Sequence, residues 1–187
     1  MKIYKSFLIS HYACKEAIEW YDTQKDKEID VLFKALIEDE KDLNWLNWYL
    51  AHILKKIDKV KYAVFAARQV LHIFEDKYPK DNRPRKSIEA AEAYIKNPNS
   101  RNASAAVINV SASNASYAAR GASYTVYSAA NAAYSAARVA AYYAVCGAIY
   151  YETYTVYTTH TASFAGGRKV MMKILEYGIK LLKGESK

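Results

Sequence analysis

The sequence predicts an all-α protein, a multi-helix bundle whose second half is a helical region rich in Ala and Tyr. Three observations predict this fold class. The 187 residues include 6 Gly and 3 Pro, which is few for the many turns of a β-sandwich or barrel. Apolar residues recur at spacings of three and four in the first hundred residues. Alanine, which has the highest intrinsic helix propensity, is abundant in residues 102–167.

Four helices are predicted in the first 80 residues, over residues 11–22, 29–37, 43–55 and 58–78. In the second of these, Val31, Leu32 and Leu36 are expected to point inward. The fourth has the clearest helical period, because Val60, Ala67, Leu71 and Phe74 fall on one face. These four segments predict an amphipathic N-terminal domain over residues 1–100.

A turn at residues 79–84 precedes a fifth predicted helix over residues 85–95, with Pro84 near its start. Five charged residues cluster there: Asp81, Arg83, Arg85, Glu89 and Glu92. The favoured interpretation is an ion-pair network that fixes the turn onto neighbouring helices, with Arg68 as a possible partner. The alternative is that Arg83 and Arg85 bind an anion or an acidic partner, because guanidinium groups pair bidentately with carboxylate and phosphate.

The composition changes abruptly at residue 102. Between there and residue 167 the charged residues are Arg120, Arg138 and Glu152. One unbroken helix of about 65 residues would be nearly 100 Å long, so we expect breaks near Gly121 and Gly147. Residues 153–161 are β-branched and aromatic, which favours a strand locally and weakens the helix prediction there.

A regular stripe of tyrosines and arginines lies within this region. Its members are spaced alternately by three and four up to Arg138, with Tyr142 four residues further on, so they share one helix face: Tyr117, Arg120, Tyr124, Tyr127, Asn131, Tyr134, Arg138 and Tyr142. We call this set the Tyr/Arg stripe. The favoured interpretation is architectural, with Ala faces packed closely and Tyr rings filling grooves or joining copies of the chain. The alternative is a recognition surface, where rings stack on bases or a partner and the arginines neutralise phosphate or carboxylate.

Residues 168–187 predict a C-terminal amphipathic helix. Charged residues recur there at four and three, namely Lys169, Lys173, Glu176, Lys180 and Lys183. The remaining positions are mostly aliphatic, so we expect a docking helix with a solvated charged face; a helix lying on a membrane surface is the less favoured interpretation. Together with residues 1–100 and 101–167, this segment is expected to form one compact unit.

The charge distribution limits the class of partner. The chain has a formal net charge of +8, without a dense basic run of the kind that binds long nucleic acids. A mild attraction to anionic partners is what this charge predicts. The start lacks the pattern of a signal peptide, and apolar runs are interrupted too often for a membrane span. With two cysteines, Cys14 and Cys146, we expect a cytoplasmic protein.

No strong catalytic motif is present, and we expect neither an enzyme nor a metal or cofactor site. His11 and Cys14 are three apart and would share a helix face, but a metal site needs more ligands. Cys14 is therefore expected to be a small core residue. His52 and His72 are expected to be half-buried or surface histidines.

Several segments of the first hundred residues resemble the immunity-five-like family of putative immunity proteins, found near bacterial toxins and in phages. They are CKEAIEW at residues 14–20, DLNWLNW at 42–48, YAVFAARQVL at 62–71 and DNRPRKSIEAA at 81–91. The resemblance covers about residues 10–100 in motif and the remainder in composition. It implies an all-α fold, a cytoplasmic location and a protective, non-catalytic role.

The first functional hypothesis is a binding protein that neutralises a protein toxin or effector stoichiometrically, in bacterial or phage conflict. The second is a phage sponge that sequesters an anionic, nucleotide-like immune signal. The third, least favoured, is a structural or surface-adsorbing Ala-rich protein. A homo-oligomer is compatible with each of them.

Overall fold

A computed structural model of the protein describes residues 1–99 and 151–185; for residue 77 and residues 151–166 it describes the backbone only. The all-α prediction is confirmed for this part of the chain. Its helices are α1 (Lys5–Ser10), α2 (Lys15–Thr23), α3 (Ile29–Glu38), α4 (Asn44–Ile53), α5 (Lys56–Lys77), α6 (Arg83–Lys96) and α7 (Tyr151–Lys183). Within these ranges there is no strand, and Lys2 and Glu28 form an isolated antiparallel bridge.

The core is built around α5, which packs against both α6 and α7, while α7 also packs against α4. The predicted apolar face of α5 is buried, with Val60, Ala67, Leu71 and Phe74 each at most 4% exposed. Small residues on this face let neighbouring helices approach, because alanine fills little of the space between them.

Helix α7 lies close to α4 and α5 at Gly178. A Cβ atom added there would lie 2.7 Å from Cε2 of Tyr62 and 2.8 Å from Cδ1 of Leu50. Both neighbours are fully buried. The Tyr62 hydroxyl donates a hydrogen bond to Oδ1 of Asn47 over 3.1 Å, which joins α5 to α4 inside the core.

The C-terminal part of α7 buries its apolar side and leaves its charged stripe exposed, while α7 packs against α4 and α5. Lys169, Lys173, Glu176, Lys180 and Lys183 are all exposed. Met171, Ile174, Leu175, Ile179 and Leu181 are buried. At its end, the Nζ atom of Lys183 donates to both carboxylate oxygens of Asp30, at 2.8 and 2.7 Å, and so joins α7 to α3. None of the helices that the structure describes has the length and hydropathy needed to cross a membrane.

Helix α7 begins at Tyr151 and contains a break at Gly167, whose φ of 73° and ψ of −176° are not helical. Residues 153–161 are thus helical, although their local sequence favours a strand. Local β-preference is a small term that the context of a longer helix overrides.

The N-terminal region differs from its prediction. Helix α1 was not predicted, and α2 begins at Lys15 rather than at residue 11, because a tight turn at Tyr12 (φ 58°) separates the two. Val31 was predicted to point inward, but it is 42% exposed. The buried face of α3 consists of Ile29, Leu32, Phe33 and Leu36, which places Val31 on the solvent side.

Candidate functional site

An apolar groove with a volume of about 360 Å³ opens between α2, α3 and α4, next to the N-terminal residues and α1. The chain has three tryptophans, and Trp20, Trp45 and Trp48 all line it. Tyr12 and Tyr49 add two further rings to the lining. We call this feature the aromatic groove.

Helices α2 and α4 form the walls of the groove, because their lining residues recur at the spacing of one helix face. Ala17, Trp20 and Tyr21 recur at three and four on α2, and Trp45 and Tyr49 are four apart on α4. The Trp20 and Trp45 rings have centroids 5.9 Å apart. Nε1 of Trp20 donates to Oδ2 of Asp39 over 2.8 Å, which fixes the orientation of this indole.

Tyr12 stands at the mouth of the groove and is 92% exposed. Its positive φ of 58° is uncommon for a residue other than glycine. Backbone hydrogen bonds from Tyr12 to Ile9 (3.1 Å) and from Ala13 to Leu8 (2.9 Å) hold this turn. A large aromatic side chain left in water on an unusual backbone is the kind of feature that recurs at binding sites.

Cys14 also lines the groove but is exposed, so the expectation that it is a core residue is wrong. It lies at the position before the first residue of α2, where the chain enters the helix from solvent. His11 follows the end of α1, so the two residues do not share a helix face as predicted. Among the described residues, no group of three or more potential ligands is placed to hold a metal ion.

Behind Trp48 lies a small cluster of rings. The His52 ring lies 4.3 Å from Trp48 and 5.6 Å from His11, which in turn stacks on Phe7 at 3.9 Å. Nδ1 of His52 lies 2.8 Å from the carbonyl oxygen of Trp48. This packing joins α1 to α4 and holds the Trp48 wall of the groove in place.

Asn44 contributes an amide side chain to the groove lining. Its backbone and side-chain nitrogens both donate to Oδ1 of Asp42 over 2.9 Å, at the start of α4. Its Oδ1 atom is buried, and no donor among the described residues reaches it. The rest of the lining is mainly aromatic and aliphatic, as in most pockets that bind apolar groups.

A shallower recess of about 610 Å³ adjoins the groove and shares Trp20 and Trp45 with it. Its charged lining consists of Glu16, Glu19, Asp39 and Lys41. We call these four residues the acidic rim. The two carboxylates on α2 and the one after α3 therefore outnumber the single ammonium group.

The two arginines named in the sequence analysis each donate two hydrogen bonds to one carboxylate. Arg83 contacts Asp81 through Nε (2.7 Å) and a terminal nitrogen (2.5 Å), and Arg85 contacts Glu75 at 2.8 and 2.6 Å. Hydrogen bonding to Glu75 raises the pKa of Arg85. These contacts match the ion-pair network that was favoured, while recognition of an anion by Arg83 and Arg85 stays a prediction.

Arg68, the suggested partner in that network, pairs with Glu92 at 2.9 and 2.8 Å and so joins α5 to α6. The carboxylate belongs to the predicted cluster, which is therefore tied to the core helix at two points, through Arg68 and through Glu75. The cluster holds α6 against α5 next to the turn.

The Tyr/Arg stripe, from Tyr117 to Tyr142, lies outside the described residues. So do the breaks expected near Gly121 and Gly147. Their roles stay predictions.

The aromatic groove was not predicted, although a signal for it was present. The segments at residues 14–20 and 42–48 contain all three tryptophans, and all three line the groove. Aromatic residues in short amphipathic helices are usually core residues, and only the three-dimensional structure shows these three to be half-buried around a groove.

A family model described as Imm-5 like putative immunity protein matches residues 51–165, which is more than half of the chain. No curated protein matches the chain, and no solved structure does. The matched segment includes all of α5 and α6. The residues that line the aromatic groove all precede residue 51.

Proposed function

The chain belongs to the Imm-5 like putative immunity protein family, and from this premise we propose that it neutralises a protein toxin or effector by forming a stoichiometric, non-catalytic complex. The observation that supports the proposal is the aromatic groove, a preformed apolar surface on helices that are fixed to the core. A protein that acts by occupying a partner needs such a surface rather than a set of reacting groups.

The groove has the composition of an interface hot spot. Tryptophan and tyrosine contribute a large share of the binding energy in protein interfaces, especially in pockets that exclude water. Here the Trp20 indole is held by Asp39, and Trp48 is held by ring packing with His52. Preorganised side chains lose little conformational entropy when a partner binds, which favours affinity.

The proposal is tested by co-expressing the chain with each protein encoded beside its gene, to find one that is toxic when expressed alone. We expect growth to be restored, and we expect the two proteins to purify as a complex whose mass, from light scattering, gives a fixed ratio. Titration of purified toxin should reach full inhibition at that ratio. Full inhibition far below equimolar amounts would contradict stoichiometric binding and would indicate catalysis.

A second candidate function is sequestration of an anionic, nucleotide-like signal, which the spacing of the Tyr/Arg stripe favours. Rings at regular intervals with Arg120 and Arg138 among them could stack on bases and neutralise phosphates. Native mass spectrometry of protein purified from cells should then reveal a retained nucleotide. If cyclic nucleotides and ADP-ribose derivatives leave the melting temperature unchanged, this candidate fails.

A further inference from the structure

The acidic rim has the opposite sign to the molecule as a whole. The formal net charge of the chain is +8, yet Glu16, Glu19 and Asp39 line the recess against Lys41. Residues 38–42, with the sequence EDEKD, add further carboxylates to the turn after α3. Because exposed charges are screened beyond about 8 Å at physiological ionic strength, a group in the recess interacts chiefly with these carboxylates.

Two other cations, Lys15 and Arg168, contact the rim or the backbone next to it. Lys15 pairs with Glu19 over 3.5 Å, with both side chains largely in solvent, and such exposed pairs are weak. Arg168 donates to the backbone carbonyls of Lys41 (3.2 Å) and Leu36 (3.4 Å) at the C-terminal end of α3. There it offsets the negative end of the helix dipole rather than the carboxylates of the rim.

The groove and the rim form one continuous surface, because Trp20 and Trp45 line both. A groove of about 360 Å³ lies within the usual range for pockets that hold an apolar group, roughly 300–1,000 Å³. Indole faces also attract cations, so the shared tryptophans suit a basic side chain that passes from the groove to the rim.

We propose that this surface binds a segment of the protein partner in which an aromatic or aliphatic anchor is flanked by lysine or arginine. The anchor enters the aromatic groove, and the flanking cations pair with the acidic rim. The identity of the partner rests on the proposed function, whereas the chemistry of the segment follows from the surface and can be tested without the partner.

The tryptophans provide the measurement, since every tryptophan of the chain lines the groove. The probes are three capped peptides: Leu-Phe-Leu flanked by two lysines on each side, the same centre flanked by glutamates, and Ser-Ser-Ser flanked by lysines. We expect saturable change in tryptophan emission with the first peptide, weakened by salt, and at least about tenfold weaker binding of the other two.

Two variants separate the halves of the surface. Glu16→Gln with Glu19→Gln should weaken binding of the lysine-flanked peptide about threefold to tenfold. Glu89→Gln with Glu176→Gln, the same charge change at exposed positions on α6 and α7, should leave it unchanged. Tyr12→Ala removes an exposed ring from the mouth of the groove and should weaken binding with no loss of thermal stability.

Equal or tighter binding of the glutamate-flanked peptide would overturn the proposal, as would an unchanged emission with all three peptides. Failure of the proposed function gives a different pattern. If the lysine-flanked peptide binds but the toxin is not neutralised, the proposed function alone fails. If the wild-type chain and the rim variant neutralise the toxin with equal affinity, this inference alone fails.

Discussion

The buried hydroxyl of Tyr62 makes the stability of the folded state depend on pH. The residue is fully buried, and its hydroxyl donates to Asn47 over 3.1 Å. Burial raises the pKa of Tyr62 because the phenolate would lose its hydration. The neutral form is therefore strongly favoured in the folded state, while the unfolded chain ionises this group near its ordinary pKa of about 10.

The folded state should lose stability as the pH rises above about 10. Below that value both states keep the proton, and above it the unfolded chain releases the proton first, which favours unfolding. Tyr62→Phe should reduce the slope of unfolding free energy against pH by up to about 1.4 kcal/mol per pH unit. Urea unfolding on either side of pH 10 measures this slope. The exposed Tyr12→Phe is the control, and equal slopes for all three proteins would contradict the prediction.

Gly178 is a second residue whose role depends on its surroundings. In an open helix, Gly→Ala stabilises by up to about 1 kcal/mol. Here the new methyl group would meet Tyr62 and Leu50 at 2.7 and 2.8 Å, and both are fully buried. We expect Gly178→Ala to lower the free energy of unfolding by about 1–3 kcal/mol, since overpacking outweighs helix propensity. Urea midpoints measure the change, with Lys180→Ala as the exposed control; a stabilised Gly178→Ala would show that α7 has room to shift.

The exposure of single residues was the hardest property to predict from the sequence. Cys14 is small and flanked by helix-forming residues, so burial was a reasonable expectation, but the turn at Tyr12 moves it to the exposed start of α2. Such a turn has no glycine or proline to reveal it. The exposure of Tyr12 itself likewise depends on the backbone rather than on the residue type.

At the scale of helices, prediction succeeded where one face is buried over several turns. α5 has 22 residues, and the apolar face read from the sequence is the one that is buried. The charged stripe of the C-terminal helix was found in the same way. By contrast, α1 has six residues and no side-chain hydrogen bond at its first cap, so no periodic pattern could reveal it. Its formation depends on packing of Leu8 and Phe7 against other helices.

The break in α7 allows a prediction at this scale. The φ of 73° and ψ of −176° at Gly167 lie in a region that is open essentially to glycine alone. A Cβ added there would meet no atom of the described residues within 4 Å, and the penalty predicted here comes from the backbone. Gly167→Ala should cost about 1–3 kcal/mol of stability. Thermal unfolding would show it, compared with Lys169→Ala two residues later. A melting temperature at or above that of the wild type would mean that the break is dispensable.

At the scale of the whole molecule, the matched family segment and the groove occupy different parts of the chain. Residues 51–165 contain α5 and α6, whereas Trp20, Trp45 and Trp48 precede them. The groove could not be predicted because its lining comes from four helices and the N-terminal residues, and no local pattern encodes how these meet. The fold class needed only composition and periodicity, which are properties of each segment by itself.

Charged residues are unevenly distributed along the chain. The region around the Tyr/Arg stripe is nearly uncharged, and the chain's excess of basic residues lies before and after it. The helix predicted there would present an uncharged surface rich in Tyr, which is unlike ordinary exposed surface, so we expect another part of the fold, another copy of the chain or a ligand to cover it. The stripe and the aromatic groove are thus two candidate surfaces on one molecule.

Substituting two residues of the Tyr/Arg stripe by alanine tests whether the stripe or the aromatic groove is the binding surface. If the stripe is an interface, Tyr124→Ala with Arg138→Ala should either reduce the oligomer mass measured by light scattering or weaken partner binding by about 2 kcal/mol or more, since Tyr and Arg are typical hot-spot residues. The control, Tyr4→Ala with Lys34→Ala, removes the same kinds of group from exposed positions near α1 and on α3. A double variant with unchanged mass and unchanged partner affinity would contradict an interface role for the stripe and would leave the aromatic groove as the surface through which the protein acts.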